Sequence, residues 1–382
     1  MTTASGRAWD LARRLAVQTT DLDEAQERAV QVHLDPFAPG ATHLRPDVSL
    51  AGMPPVLRSE LVEVHGPARD GMTTAQDREG RLLACYGNRW ASVPSMSDDE
   101  VEIALEPGLP LTTCWTDLVR PSLQHGLHRH DAVAVHAAAV EHDGGAVLIA
   151  GWSETGKTEV ALALVESGAR FLSDKWSVAG NDGLVSAFPV AVGVRGWALD
   201  ALPVLRSSLP GSARARLGTS GALKKAIGGP GNGQGAVRIA ALARHGLQRA
   251  ADLGDRVSVR PSRVRAAYGD TSDPARHVPL RAVLVLTTGT TGAVEVEEAD
   301  AVWAADRLAR SAAYERRAFF DLQERGAYSG LTGRDGAREA SLSREQQLLS
   351  RTFGAAPTVL RVACPFPGDP RRILDALPAM SA

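Results

Sequence analysis

The sequence predicts an α/β protein in which helices flank a mixed sheet, with a smaller β-rich domain in front of it. Residues 145–173 follow the order strand, glycine-rich loop, helix, strand, which is typical of α/β domains. Residues 59–108 contain short alternating segments separated by turn residues, which indicate β structure. At 382 residues the chain is long enough for two domains. We expect an accessory domain of unassigned role over 1–104 and a catalytic domain over 105–382.

In the N-terminal domain, the polar stretch 8–31 predicts a helix, and a proline-rich connector follows it. Alternating apolar residues then predict strands over 59–66, 80–93 and 100–108.

In the second domain, residues 111–130 predict a helix that Pro121 breaks or kinks. Apolar runs and turn residues predict most of the remaining elements. Strands are expected over 132–141, 145–151, 169–180, 184–194 and 279–288, and helices over 158–168 and 300–312.

The charges exclude one class of partner and direct attention to one segment. Lys plus Arg (42) nearly balances Asp plus Glu (44), so no basic field indicates nucleic-acid binding.

Only four of the 42 cations are lysines, and all fall between 157 and 225: Lys157, Lys175, Lys224 and Lys225. Lysine supplies a compact point charge where arginine does not, so we expect chemistry in this segment. Lys224 and Lys225 lie in a glycine-rich stretch, 218–235, which is expected to be either a lid over phosphate or a solvated loop.

The compartment is indicated by the cysteines and by apolar run lengths. The three cysteines are widely spaced and odd in number, which is typical of reduced thiols. The first thirty or so residues lack the apolar core of a signal peptide, and no later run is long enough to span a membrane. We therefore expect a soluble cytoplasmic protein without a membrane partner.

The strongest motif is a phosphate-binding loop at 151–158, which fits the pattern G-x-x-x-x-G-K-[ST]. Its residues are Gly151, Trp152, Ser153, Glu154, Thr155, Gly156, Lys157 and Thr158. Backbone N–H groups at a helix N-terminus would bind phosphate oxygens. Lys157 would reach the β- and γ-phosphates, and Thr158 would ligate Mg²⁺. The alternative is a glycine turn that binds nothing.

Two carboxylates accompany the loop. Asp174 ends the next predicted strand, where it would hold Mg²⁺ or accept a proton from an attacking hydroxyl. A helix-capping aspartate is the alternative. Glu159 directly follows the loop and would be a second carboxylate at the metal or the hydroxyl, or would simply favour the helix dipole.

His136 lies on the strand before the loop, the loop ends Gly156-Lys157-Thr158-Glu159, and Asp174 follows the helix. This stretch, 135–178, resembles the catalytic domain of the HPr kinase/phosphorylase family. The segment 194–199 is similar to a further family motif and would place Arg195 at the site, and residues 230–232 give a fainter echo of a family loop. The resemblance implies a phosphate-loop kinase domain of the HPr kinase and phosphoenolpyruvate-carboxykinase type, with ATP and Mg²⁺ as its cofactors. It also implies that His136, otherwise a satisfied core histidine, orients the acceptor or the phosphates, and the family includes homo-oligomers.

The sequence departs from the family at two positions. Lys175 replaces the second aspartate of the family's pair, and Gly193 stands where the family usually has an acid. These changes put two-metal chemistry and the reverse phosphorolysis reaction in question. Lys175 would stabilise the transferring phosphoryl group or bind an anionic acceptor. The N-terminal domain has no pattern of the carrier-protein enzymes, so the acceptor need not be HPr.

The predicted activity is ATP- and Mg²⁺-dependent transfer of the γ-phosphoryl group to a hydroxyl of serine or threonine in a peptide, protein or small metabolite, as in biosynthetic kinases. Lys157, Asp174, Glu159, His136 and Lys175 are the expected catalytic residues. The alternative is a regulatory module that binds ATP without phosphotransfer. A carboxykinase-like enzyme would need metal-ligating residues that the sequence does not offer. His125, His128 and His130 predict a solvated helix end more readily than a metal site.

Overall fold

The computed structural model describes residues 6–40, 45–67, 71–97, 100–217, 256–365 and 368–378. Its N-terminal part is an eight-stranded sheet with one long helix. The elements are β1 (Ala8–Leu11), β2 (Leu15–Thr20), α1 (Glu24–His33), β3 (Val48–Gly52), β4 (Leu61–His65), β5 (Thr73–Asp77), β6 (Leu82–Tyr86), β7 (Arg89–Val93) and β8 (Val101–Leu105). The strand order is β1-β2-β3-β8-β7-β6-β5-β4. The strands predicted over 59–66 and 100–108 are confirmed as β4 and β8. The single strand predicted over 80–93 is wrong, because the chain turns at Gly87 and forms the β6–β7 hairpin.

The helix predicted over 8–31 is wrong in its first half, where β1 and β2 form an antiparallel hairpin. Ala12 and Arg13 adopt positive φ angles of 54° and 53°, which turn the chain tightly between the strands. Trp9 and Leu11 are buried at every second position, which is the period of a strand. Helix α1 begins only after Asp23, whose carboxylate accepts from the Gln26 N–H at 2.9 Å.

The second part begins with a helical segment made of α2 (Leu111–Cys114), a π-helical turn (Trp115–Val119), α3 (Arg120–Gly126) and a 3₁₀ turn (Leu127–His130). The helix predicted over 111–130 is therefore present. Pro121 lies at the start of α3, directly after the π turn, and it does not end the helix. A widened turn accommodates the missing N–H of proline within a continuous helix.

The remaining elements build a mixed nine-stranded sheet and a separate two-stranded one. They are β9 (Ala132–Val135), β10 (Ala137–His142), β11 (Gly145–Gly151), α4 (Lys157–Glu166), β12 (Arg170–Ser173), β13 (Ser177–Gly180), β14 (Leu184–Ala187), β15 (Val192–Arg195), α5 (Pro203–Ser208), β16 (Arg256–Val259), α6 (Pro261–Ala267), β17 (Val278–Thr288), β18 (Glu295–Glu298), α7 (Ala301–Glu315), α8 (Arg317–Tyr328), α9 (Ala337–Gly354), β19 (Thr358–Cys364) and α10 (Pro370–Ala376).

The centre of the nine-stranded sheet is parallel, because β17 runs parallel to β11 on one side and to β19 on the other. The flanking strands β10, β12, β13 and β14 pair antiparallel with their neighbours. Strands β15 and β16 form the two-stranded sheet. The architecture is thus α/β with a mixed sheet, as predicted.

Helices cover both faces of the nine-stranded sheet. Val147 and Ile149 of β11 pack into the core that contains α4 and α10, whereas Leu148 and Ala150 pack into the core that contains α7 and α9. Burial on both faces explains why β11 is a continuous apolar run. A third core joins the N-terminal sheet to α3, α8 and Trp176. The expected boundary near residue 104 falls inside β8, and the division into two domains stays a prediction.

Three of the strands predicted in the second domain are interrupted. The run 184–194 splits at residues 188–191 into β14 and β15, which belong to different sheets. The run 132–141 splits at His136 into β9 and β10, and the run 169–180 splits at residues 174–176 into β12 and β13. The breaks at His136 and at 174–176 lie side by side, because β9 pairs with β13 and β10 pairs with β12. Lys175 adopts a φ of 64° at the latter break. These two interruptions therefore release site residues from the regular ladder.

Residues 218–235, with Lys224, Lys225 and the 230–232 segment, lie outside the described residues. Cys85, Cys114 and Cys364 form no disulfide. In the described ranges, none of the helices has the length and apolar character needed to cross a membrane.

Candidate active site at the phosphate loop

The phosphate loop connects the carboxyl end of β11 to the first residue of α4. Gly151, Glu154 and Gly156 adopt positive φ angles of 147°, 62° and 91°. A Cβ atom on Gly151 would lie 2.6 Å from the Leu286 carbonyl oxygen, so only glycine fits there. The predicted strand, loop and helix are all present. Their order presents a concave backbone at the positive end of α4, which is the geometry that binds phosphate.

Lys157 is buried and lies against the first residues of this loop. Its Nζ donates hydrogen bonds to the carbonyl oxygens of Gly151 at 3.0 Å and Trp152 at 2.7 Å. Burial lowers the pKa of Lys157 to about 8, while the charges of Asp174 and Glu315 oppose that shift. The ammonium is therefore held at the Gly151–Trp152 end of the loop, and that is the end at which β- and γ-phosphates would be bound.

Asp174 lies beneath Thr158. The Thr158 hydroxyl donates to Asp174 Oδ1 at 2.8 Å, and Oδ2 is buried with no hydrogen-bond partner among the described residues. Burial raises the pKa of Asp174, and the Thr158 hydroxyl and nearby backbone amides act in the opposite direction. A buried carboxylate oxygen without a hydrogen-bond partner among the described residues is available to a metal-bound water or another ligand.

This arrangement fits Mg²⁺. The Thr158 proton is directed to Asp174, so the lone pairs of the Thr158 hydroxyl stay available for a cation, and Asp174 would hold one of its waters. No group of three or more His, Cys, Asp or Glu side chains capable of holding a metal occurs in the described part of the chain. Mg²⁺ in phosphoryl-transfer enzymes takes only one or two protein carboxylates and completes its shell with phosphates and water.

Glu159 is buried on the first turn of α4. Burial raises the pKa of Glu159, and the charges of Arg195 and Arg256 lower it. Arg256 covers Gly193, where any Cβ would overlap its guanidinium. No local sequence pattern indicates this contact, because Arg256 reaches Gly193 through the pairing of β15 with β16.

Arg195 is brought to the loop, as predicted from its motif. Its guanidinium forms an ion pair with Glu154, the loop residue at positive φ. Ser153 is exposed in the middle of the loop. Within the loop, the Thr155 hydroxyl donates a hydrogen bond to the Trp152 carbonyl oxygen at 3.0 Å. The loop is therefore tied down both within itself and to β15.

His136 lies behind the loop and is buried. Its Nδ1 is 2.8 Å from the Ser311 hydroxyl on α7, and its ring centroid is 5.0 Å from that of Trp176. Burial lowers the pKa of His136 well below its usual value, and the charges of Lys157 and Lys175 add to the effect. The imidazole is therefore neutral near pH 7. That it orients the acceptor stays a prediction.

Lys175 forms an ion pair that the sequence did not indicate. Its Nζ is 3.0 Å from Oε2 of Glu315, the last residue of α7. The charge of Glu315 also acts on Lys157. The site thus contains a carboxylate from a distant helix, and Lys175 faces that carboxylate. Glu315 lies in no motif, and only the docking of α7 against β9 and β11 brings it here.

An exposed aromatic pair borders the loop on the same side. Trp152 is 48% exposed and Tyr314 is 47% exposed, with ring centroids 4.8 Å apart. The Arg317 guanidinium lies 4.4 Å from the centre of the Tyr314 ring. Solvent-exposed aromatic rings that pack against each other at the mouth of a site provide a surface for a flat or apolar part of a ligand.

The three histidines of the 125–130 segment do not converge on a metal. His125 contacts the Met96 carbonyl oxygen at 2.8 Å, His128 contacts Glu345 at 3.2 Å, and His130 contacts Asp47 at 2.8 Å. His128 is hydrogen-bonded to the buried Glu345, which forms an ion pair with Arg316. The expected solvated helix end is therefore wrong for His128, which is a structural residue.

The chain matches no model of a known protein family and no protein of curated function.

Proposed function

We propose that the protein is a kinase that transfers the γ-phosphoryl group of ATP to a hydroxyl of serine or threonine in a peptide, protein or small metabolite. We also propose that its second part has the phosphate-loop kinase fold of the HPr kinase and phosphoenolpyruvate-carboxykinase type. The observation that carries the proposal is the Thr158–Asp174 pair directly beside Lys157 at the loop. A glycine turn that binds nothing would not require a buried lysine and a buried aspartate at the same place.

The protein's own groups have distinct tasks in this reaction. The loop amides and Lys157 bind the triphosphate, and the Lys157 ammonium leaves the loop carbonyls for the β- and γ-phosphate oxygens. Thr158 and Asp174 would hold Mg²⁺, which neutralises charge on the phosphates when bound. The Arg195–Glu154 ion pair holds the loop in its positive-φ conformation. Positioning and charge neutralisation supply most of the rate enhancement in such reactions.

Phosphoryl transfer itself is a substitution at phosphorus. The acceptor oxygen forms a bond to the γ-phosphorus, the bond from that phosphorus to the bridging oxygen breaks, and ADP departs. The Lys175 ammonium stabilises the charge on the transferring group. Its side chain is 33% exposed at the loop mouth, so it is accessible to an incoming anion.

Two variants test the proposal. We expect Lys157→Ala to lose ATP binding and transfer together, because the phosphates lose their buried cation. We expect Asp174→Asn to retain ATP binding within about tenfold and to lose transfer by about 10²-fold or more. Binding is measured by titration calorimetry and transfer with γ-labelled ATP and hydroxyl acceptors. Full transfer activity in Asp174→Asn would refute the role of this residue.

A regulatory module that binds ATP without transfer is the second candidate. It is favoured by one observation: cations, Lys175 and Arg256, occupy the places of two carboxylates expected from the resemblance. ATP that binds to the protein and stays intact with every hydroxyl compound offered would favour this alternative over the kinase.

A further inference from the structure

The attacking hydroxyl must lose its proton, and a positioned carboxylate is the usual acceptor. Three carboxylates act on the charge of Lys157: Asp174, Glu315 and Glu159. Asp174 is only 2% exposed and already accepts from Thr158. Glu159 is also buried, and it lies in the field of Arg195 and Arg256. The carboxylate that remains is Glu315.

Glu315 lies where an acceptor would enter. Its neighbour Tyr314 packs against Trp152 at the loop mouth, with ring centroids 4.8 Å apart, and the Trp152 carbonyl oxygen accepts a hydrogen bond from Lys157. The next residue, Arg316, is fixed by a buried ion pair with Glu345. The end of α7 is therefore held in place on both sides of Glu315, whose side chain keeps 16% of its surface exposed.

The partner of Glu315 is itself suited to a phosphoryl group. Lys175 reaches Glu315 from a backbone with a φ of 64°, a conformation that a residue other than glycine rarely adopts. Such strained positions cluster at functional sites, and here the Lys175 ammonium lies 3.0 Å from Glu315, with its charge acting on Lys157 and His136. An ammonium has three N–H donors, so Lys175 can bind a phosphoryl oxygen while it still contacts Glu315. The hydrogen bond to phosphate can then replace the one to the carboxylate, which releases Glu315.

We propose, on the basis of the kinase function above, that Glu315 is the general base of phosphoryl transfer and that Lys175 holds it until the γ-phosphate binds. The proton of the acceptor hydroxyl moves to a Glu315 carboxylate oxygen as the new O–P bond forms. The electron pair of the broken P–O bond leaves with ADP, and the protonated Glu315 then returns its proton to water. Asp174 keeps only its task at the metal.

The test compares Glu315→Gln, Glu315→Asp and Glu315→Ala with Asp306→Asn, a matched acid-to-amide change on the exposed face of the same helix. Single-turnover transfer from Mg-ATP is measured, and the ATP dissociation constant is measured separately. We expect Glu315→Gln to slow transfer by about 10²–10⁴-fold with the ATP dissociation constant unchanged within about threefold. Glu315→Asp retains part of the activity, and Asp306→Asn behaves as the unaltered protein.

Rescue of transfer by added formate distinguishes a general base from a residue that only supports the structure. Formate supplies a carboxylate that fits the space left by Glu315→Ala, so we expect formate to restore transfer in this variant and to leave Asp306→Asn unchanged. Glu315→Gln that transfers within threefold of the unaltered protein would overturn the assignment of Glu315 alone. If the unaltered protein binds ATP and transfers to no hydroxyl, the kinase function itself is overturned.

Discussion

Replacing the carboxylate of Asp174 by the amide of asparagine separates the stability of the protein from its activity. The carboxylate is buried, with one oxygen unpartnered among the described residues, and burial raises its pKa. The charged form is therefore less favourable in the folded protein than in the unfolded chain. Asparagine keeps an oxygen that accepts from Thr158 and removes the charge. We expect Asp174→Asn to stabilise the ligand-free protein while it abolishes transfer.

The size of the effect follows from the cost of an unsatisfied buried group. That cost is about 1–3 kcal/mol and larger for a charge than for an amide, so we expect a gain of about 1 kcal/mol in the free energy of unfolding. For a domain of 150–250 residues this corresponds to about 2–4 °C in Tm. Because the folded pKa is raised, the carboxylate costs no stability while it is protonated in both states. The penalty begins as pH rises past the unfolded pKa of about 3.9 and is complete above the folded pKa. The gain should therefore be largest near pH 7 and vanish towards pH 4.

Calorimetric melting of both proteins at pH 7 and pH 4 measures this difference, with and without Mg-ADP. Mg-ADP should raise the Tm of the unaltered protein more than that of Asp174→Asn, because the variant lacks the carboxylate that would hold the metal. A lower Tm for Asp174→Asn at pH 7, or an equal response of both proteins to Mg-ADP, would refute the reasoning.

Three further substitutions have defined outcomes. Lys157→Ala should remove measurable ATP binding by calorimetry; retained micromolar affinity would contradict its role. Gly151→Ala places a Cβ against the Leu286 carbonyl at a φ of 147°, so it should lower the free energy of unfolding by about 2–4 kcal/mol, measured with denaturant. Gly144→Ala has a positive φ but open space around it, so it should lower the free energy of unfolding by only about 1 kcal/mol. Equal losses would show that the close approach is unimportant. Trp152→Ala removes one exposed ring of the pair with Tyr314 and should raise the acceptor KM by about fivefold, or about 1 kcal/mol, with the ATP dissociation constant unchanged; a loss confined to ATP binding would place the ring on the nucleotide side.

The local parts of the site were predictable from the sequence. Strand β11, the loop and α4 form a continuous segment whose apolar spacing and glycines directly reflect their conformation. The β10–β11 hairpin was likewise predictable, because Asp143 and Gly144 supply the two positive φ angles that its turn requires. The position of Asp174 is likewise predictable, because it directly follows strand β12.

The rest of the site depends on contacts between distant segments. Glu315 and Tyr314 reach the loop through the packing of α7. Arg256 reaches Gly193 because β16, which begins 48 residues after Ser208 at the end of α5, pairs with β15. No local pattern records such contacts. The breaks at His136 and Lys175 have another cause. His136 lies in an apolar run whose composition favours an unbroken strand, and Lys175 lies between two apolar segments that together are short enough to be one strand.

The hairpin of β1 and β2 shows how tertiary burial overrides local polarity. Charged residues between Trp9 and Leu15 suggested a polar helix, yet Trp9, Leu11 and Leu15 are all buried in the N-terminal core. Packing of the sheet onto α1 and α3 decides the conformation there, and a single sequence contains no direct record of that packing.

The most direct test of the kinase proposal is ³¹P NMR of the purified protein with Mg-ATP and a pool of serine, threonine and serine-containing peptides. The proposal predicts a new phosphomonoester resonance that grows in step with ADP and is absent with Lys157→Ala. ATP that stays intact, or that yields only ADP and inorganic phosphate, would contradict it.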